Sequence, residues 1–115
     1  MNSHRLGVEG ELKAIDYLKS NGYVILEKNY RALGNEVDII CEKKGIVVFV
    51  EVKMRNEGKF GTPMESVTLD KTGKIIKTAR YYLQSRNLLD KCEIRFDVIG
   101  VQGNKLEHIE DAFRV

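Results

Sequence analysis

Residues 35–55 read N-E-V-D-I-I-C-E-K-K-G-I-V-V-F-V-E-V-K-M-R, and the fold turns on how this stretch pairs with itself. Two short runs rich in Val and Ile flank Lys44-Gly45. Short, β-branched runs of this kind are strands, not helices. Lys-Gly between them predicts a two-residue hairpin loop whose glycine takes φ > 0. Lys43 then faces Ile46, paired positions keep a constant sum, and Asp38 falls directly opposite Glu51. Opposed residues share a face, with Cβ atoms about 4.5–5.5 Å apart. Lys53, two residues beyond Glu51, shares that face. A three-residue loop would slip the pairing by one and send the two acids to opposite faces.

Two acids and a lysine thus converge from strands that are otherwise apolar. Like charges opposed across a ladder destabilise a sheet, and a buried carboxylate pair is costly unless something compensates it. A divalent cation would compensate. The plain alternative is a salt-bridged sheet rim.

The chain before the hairpin predicts a helix and a strand. From Val8 to Asn21, the residues Val8, Leu12, Ile15 and Leu18, with Ala14 beside them, recur at helical spacing. Ser3 or Asn2 is placed to cap the start, and Asn21-Gly22 to end the helix in a left-handed cap. Glu11 borders the stripe, where it favours the helix dipole whatever else it does. Tyr23 to Tyr30 alternates as a first strand, and Arg31 to Asn35 is a turn around Gly34. The two hairpin faces divide as Val37, Ile39, Cys41, Ile46, Val48, Val50 and Val52 against Asp38, Ile40, Glu42, Val47, Phe49, Glu51 and Lys53. Both are largely apolar, as in central strands covered on two sides.

After the hairpin, Met54 to Thr68 reads as a loop carrying Arg55, Phe60 and Pro63. A loop this long is more often functional than idle, though a plain connector fits the pattern too. Leu69 to Asn87 predicts a second helix, with Asp70 as its N-cap and Ile75, Ile76, Ala79, Tyr82 and Leu83 as its apolar face. Lys71, Lys74, Lys77 and Arg80 make a basic stripe along it, suited to a phosphate backbone and equally to a solvated face. Cys92 to Val101 is a strand, residues 102–104 a turn, and Lys105 to Ile109 a short edge strand. Asp97, mid-strand, reads as a structural acid paired with a neighbouring base.

The residues Asp38 and Glu51-Val52-Lys53 resemble the PD-(D/E)-x-K motif of the restriction-endonuclease-like superfamily, which includes archaeal Holliday-junction resolvases. More narrowly, most of the chain resembles the YraN family of small bacterial proteins. The matching pieces are Gly10-Glu11, Gly22-Tyr23, Asn29-Tyr30-Arg31, residues 36–40 and 48–53, Arg55, Lys71, Lys74-Ile75 and residues 95–99. Two positions depart from the pattern. Val37 stands where the motif's name puts proline, and Asn35 where glycine is expected.

The resemblance implies an α/β/α core with a mixed central sheet and a metal-dependent nuclease acting on DNA, branched DNA included. It implies Asp38 and Glu51 as ligands of Mg²⁺ or Mn²⁺, the Val52 carbonyl as a third, and Glu11 adding a charge directly or through water. Hard oxygen donors suit those ions. Lys53 would position the attacking water or stabilise developing charge. Arg31, Arg55, Lys71 and Lys74 would hold the nucleic-acid backbone. A homodimer is the arrangement that cuts two strands of a junction. Two other classes stay open: a nucleic-acid-binding protein of this fold with little or no cleavage, and a protein-interaction domain reusing the scaffold.

At 115 residues the chain is one domain, residues 1–115. Its 43% hydrophobic and 31% charged content describe an ordinary globular protein, and a net charge of +2 says little about nucleic acid by itself. The longest apolar run, Ile46 to Val50, is far short of the roughly 20 residues of a membrane helix. With no apolar leader and no C-x-x-C pair, the chain reads as cytoplasmic, with Cys41 a small buried hydrophobe. His4 and His108 have no zinc-like spacing.

Overall fold

The computed structural model describes residues 3–54 and 68–115, with side chains from Gly7 onward in the first helix. Helix α1 (Ser3–Ser20) leads into β1 (Val24–Ala32), β2 (Asn35–Lys43) and β3 (Ile46–Met54). Helix α2 (Leu69–Ser85), β4 (Glu93–Gln102) and β5 (Lys105–Phe113) follow. The five strands form one sheet in chain order, antiparallel except for β3 and β4, which run parallel. A parallel neighbour requires a crossover, and α2 lies within it.

Each helix covers one face. Ala14, Ile15 and Leu18 of α1 pack on Ile39, Cys41, Val48, Val50, Val52, Ile99 and Val101. Ile75, Ala79, Tyr82 and Leu83 of α2 pack on Ile40, Val47, Phe49 and Phe96. The sheet between them is therefore apolar on both sides, and β2 and β3 lie inside it together with β4, as the two-faced apolar pattern of the hairpin predicts.

The hairpin register is the expected one. Lys43 pairs with Ile46, Cys41 with Val48 and Ile39 with Val50, around Lys44 (φ 53°) and Gly45 (φ 81°). Two positive φ values in a two-residue loop give the turn whose twist matches the strands. The end of α1 is also as expected. Gly22 (φ 87°) donates its N–H to the Lys19 carbonyl and Tyr23 to that of Leu18, which is a Schellman cap.

Several boundaries and faces differ from the sequence reading. Helix α1 begins at Ser3, and β5 runs on to Phe113. Strands β1 and β2 extend to Ala32 and Asn35, so the turn is only Leu33-Gly34, both left-handed. Val8 and Leu12 are 42% and 53% exposed. The stripe of α1 that faces the sheet end runs one residue round, through Gly7, Gly10, Glu11, Ala14 and Leu18. Its small residues let the helix sit close: a Cβ on Gly10 would overlap the Met54 sulfur. The cap of α2 is Thr68, whose Oγ1 accepts from Lys71 N–H, while Asp70 pairs with Lys74 one turn on.

Val37 is the most telling difference. It packs in the α2 layer with Tyr30, not with Ile39 and Cys41. Asn29 in β1 is left-handed (φ 51°), and the regular pairing skips Asn29 and Asp38. Both strands turn over at that point, which carries Tyr30 and Val37 to the other side.

Candidate functional site

The pairing of β2 with β3 stops at Ile39 opposite Val50. Strand β2 stays with β1 as far as Asn35, and β3 stays with β4 as far as Met54. Strands β2 and β3 therefore part just where the acids are, and the sheet opens into a cleft of about 730 Å³. Gly7 and Glu11 of α1 line it on one side, and Thr68, Asp70, Lys71 and Lys74 of α2 on the other. Asp38, Glu51, Val52 and Lys53 lie at its floor between them.

Parting leaves backbone groups without ladder partners, and buried ones must find others. The Val52 N–H, on the parity of the amides that face β2, donates to Asp38 Oδ2 at 2.8 Å. The Asp38 side chain thus stands in for the missing rung and ties the two strands across the gap. Glu51 is buried, with 8% of its side chain exposed, and Lys71 Nζ lies 3.4 Å from its Oε1. Lys53 and Lys71 are close enough to share a hydrogen bond.

Electrostatics follow from this crowding. Burial, then the neighbouring Glu51 carboxylate, pushes the Asp38 carboxyl up to about 7, and the Val52 N–H and Lys71 offset only part of that. Burial, then the contact with Lys71, holds Lys53 below the usual lysine range. Burial also opposes the charge on Lys71, but the contacts with Lys53 and Glu51 outweigh it and raise Lys71.

Glu11 lines the cleft but is held from outside it. With its side-chain amide in the orientation that satisfies both carboxylates, Asn29 donates to Glu11 Oε1 at 2.8 Å and to Glu36 Oε1 at 3.0 Å. The same asparagine that turns the strands over also positions the helix acid. Asn29 was quoted in the motif, but nothing local in the sequence marked it as a bridge.

The cationic residues divide. Lys71 is in the site, Lys74 lines the cleft while pairing with Asp70 at 3.1 Å, and Arg31 is 79% exposed, 3.5 Å from Glu36. Arg55 and the loop with Phe60 and Pro63 lie outside the described residues.

Among the described residues, no group of three or more His, Cys, Asp or Glu side chains is arranged to hold a metal ion as it stands. The donor chemistry nonetheless fits a hard divalent cation. Asp38 and Glu51 supply carboxylate oxygens in a partly desolvated cleft, and the raised Asp38 carboxyl marks negative charge that is incompletely neutralised.

Asp97 stands apart from the cleft. It is fully buried. Arg95 donates to it from Nε and an η nitrogen, both at 2.8 Å, His108 Nε2 lies at 2.7 Å, and the Asp111 N–H donates at 3.0 Å. His108 Nδ1 takes the Tyr17 hydroxyl at 2.9 Å, and Arg95 donates to the Tyr23 hydroxyl at 2.6 Å. Asp97 is the structural acid expected of it, joining β4, β5, α1 and the start of β1.

A five-stranded mixed sheet between two helices, with an acid pair where its interior strands part, is compatible with the restriction-endonuclease-like α/β fold. The model of the uncharacterised protein family UPF0102 matches residues 10–101, and the chain belongs to that family, the YraN family its motifs resemble. A UPF0102 protein of Persephonella marina is 46% identical over 93% of this chain and 91% of its own length. One of Thermodesulfovibrio yellowstonii is 48% identical over 94% and 95%, and one of Clostridium botulinum 42% over 96% and 94%. Among solved structures, the crystal structure of SSO0001 is similar at 17% identity and a TM-score of 0.45. The match covers 95% of this chain and 52% of that one, so this chain spans about half of it. A likeness at that level carries no argument. Among the described residues, no helix is long and apolar enough to cross a membrane.

Proposed function

We propose that this protein is a metal-dependent endonuclease that hydrolyses DNA phosphodiester bonds, with branched and junction DNA among its substrates. The observation that supports this is the meeting of Asp38, Glu51, Lys53 and Lys71 in one cleft at the parting of β2 and β3. Asp38 and Glu51, with the Val52 carbonyl, would hold Mg²⁺ or Mn²⁺, and Glu11 would add charge at the rim. A bound divalent ion supplies a Lewis acid for the phosphate and acidifies a water. The chain's own groups do the rest. Lys53, held below the usual lysine range, can take a proton from the attacking water or give one to the departing oxygen. Lys74 and the exposed Arg31 offer cations to the phosphates either side. A second copy of the chain would be needed to cut both strands of a junction in concert.

The test is direct. Purified protein is incubated with linear, nicked and four-way DNA in Mg²⁺ or Mn²⁺, beside Asp38→Ala and Lys53→Ala. Both variants are expected to lose cleavage while Asp38→Ala still binds DNA. Wild-type protein that retards DNA in a gel yet cuts nothing under either metal would end the enzyme reading. Protein that does neither would end both nucleic-acid readings.

One observation favours a second reading, a nucleic-acid-binding protein of the same fold with little or no cleavage. Glu51 already has an ammonium partner in Lys71, and Asp38 a backbone one in Val52. The acids are partly satisfied without any ion.

A further inference from the structure

We propose that Lys71 is a built-in stand-in for the divalent cation, neutralising the acid pair when no ion is bound and withdrawing toward the substrate phosphates when one arrives. The proposal rests on the metal site of the preceding section and asks what occupies that position beforehand.

Three features assign the role to Lys71. Its Nζ lies 3.4 Å from Glu51 Oε1, while Glu51 is nearly buried and Lys71 is 38% exposed, so the cation reaches in from solvent to a fixed acid. Its backbone is anchored, because Thr68 Oγ1 accepts its N–H at 3.2 Å in the first turn of α2. Only the flexible side chain need move. Finally, Lys71 and Lys74 line the same cleft, so an ammonium leaving Glu51 stays among phosphate-facing groups.

Charge counting gives the coupling. With both acids and both amines ionised the cluster is neutral. A doubly charged ion added to that arrangement leaves a positive excess beside the acids. Release of Lys71 moves one of those charges outward, where an anionic backbone can meet it. Metal uptake and nucleic-acid binding then favour each other.

Calorimetric titration of Mn²⁺ into the full chain, without nucleic acid, tests this. Lys71→Met is expected to bind Mn²⁺ about tenfold more tightly than wild type, the gain when a form open about one time in ten becomes always open. Lys77→Met, which removes an exposed charge from the same helix, is expected to leave the affinity unchanged. Lys71→Gln, which removes the charge but keeps a polar end on a shorter stem, guards against misfolding of the Met variant, with far-UV circular dichroism as the check. A wild-type crystal soaked in Mn²⁺ should show Lys71 Nζ out of contact with Glu51.

Equal Mn²⁺ affinity in wild type and both Lys71 variants would overturn the stand-in while leaving the metal reading intact. An ion bound with the Lys71–Glu51 contact unbroken would do the same. No Mn²⁺ uptake by any form would overturn both.

Discussion

Asp38 and Asp97 are both strand-borne aspartates taken out of water, and their environments drive them in opposite directions. Burial raises both. Around Asp97 it is outweighed by the hydrogen bonds from His108 and Arg95 and the Asp111 N–H, and the carboxyl ends below its ordinary range. Around Asp38 burial is reinforced by Glu51, and one backbone N–H cannot offset the two. The difference lies not in depth but in donors. The fold satisfied the acid that holds β4, β5 and α1 together, and left under-satisfied the one that lines the cleft. That imbalance is what the proposed divalent ion would relieve.

The contrast is sharpest in stability. Asp97→Ala should destabilise the protein by about 3–5 kcal/mol, since it strips the partner from Arg95 and His108 in a buried network. Asp38→Asn should do the reverse, with a gain on the order of 1 kcal/mol at pH 8, because it removes a carboxylate that Glu51 repels and keeps an acceptor for the Val52 N–H. Urea denaturation of the two variants reads both. A loss for Asp38→Asn comparable to that of Asp97→Ala would erase the distinction.

The pH dependence follows with opposite signs. Asp38 has a folded value of about 7, above its unfolded value, so the folded state holds more protons between about pH 4 and 7. Its contribution to stability is full below the unfolded value and is lost as pH rises through 7. Asp97 is lowered, so its contribution is present above the unfolded value and is lost as pH falls through the folded one. Melting temperature should therefore decline from pH 5 to 8 in wild type and flatten in Asp38→Asn. Saturating Mg²⁺ should flatten it too, by binding the ionised acid pair.

The smallest expected effect concerns Asn29. Asn29→Gly preserves its left-handed backbone at little cost and deletes only the bridge to Glu11 and Glu36. Mn²⁺ affinity should fall by less than the roughly tenfold typical of a group supporting a direct ligand. Unchanged affinity would remove Glu11 from the site.

Much of this was legible in the sequence because the deciding contacts are local. Lys44-Gly45 set the hairpin and its register as far as Ile39 opposite Val50, and one step beyond the last pair the Asp38 side chain reaches the β3 backbone beside Glu51. The parting of β2 from β3 was not legible. It arises because each strand keeps its outer neighbour, and β4 lies far along the chain. Nor was the turnover at Asn29, since its left-handed φ is a choice of one residue that shifted Val37 to the other layer. The stripe on α1 was misjudged for a related reason. Hydrophobicity pointed to Val8 and Leu12, but the close approach of Met54 requires the face that carries Gly10. Asp97 reads as structural in the sequence, while its partner His108, and the Tyr17 hydroxyl bonded to that histidine, come from elements with no sequence proximity to signal them.

The single parallel rung of the sheet has a consequence for how the protein is assembled. Hairpins close in about 1–10 μs, so β2 and β3 pair early, from the Lys44-Gly45 turn as far as Ile39 opposite Val50. The second helix comes to rest only when β4 docks alongside β3, a non-local and slower event. Until then the nascent ribbon bears two carboxylates with no ammonium from α2 beside them. Besides Lys53 on the ribbon itself, a divalent ion bound as proposed would be a counter-charge available at that stage. Stopped-flow refolding in Mg²⁺ against a chelator would show a faster early phase if the ion helps close the ribbon, and identical traces if it binds only the finished fold.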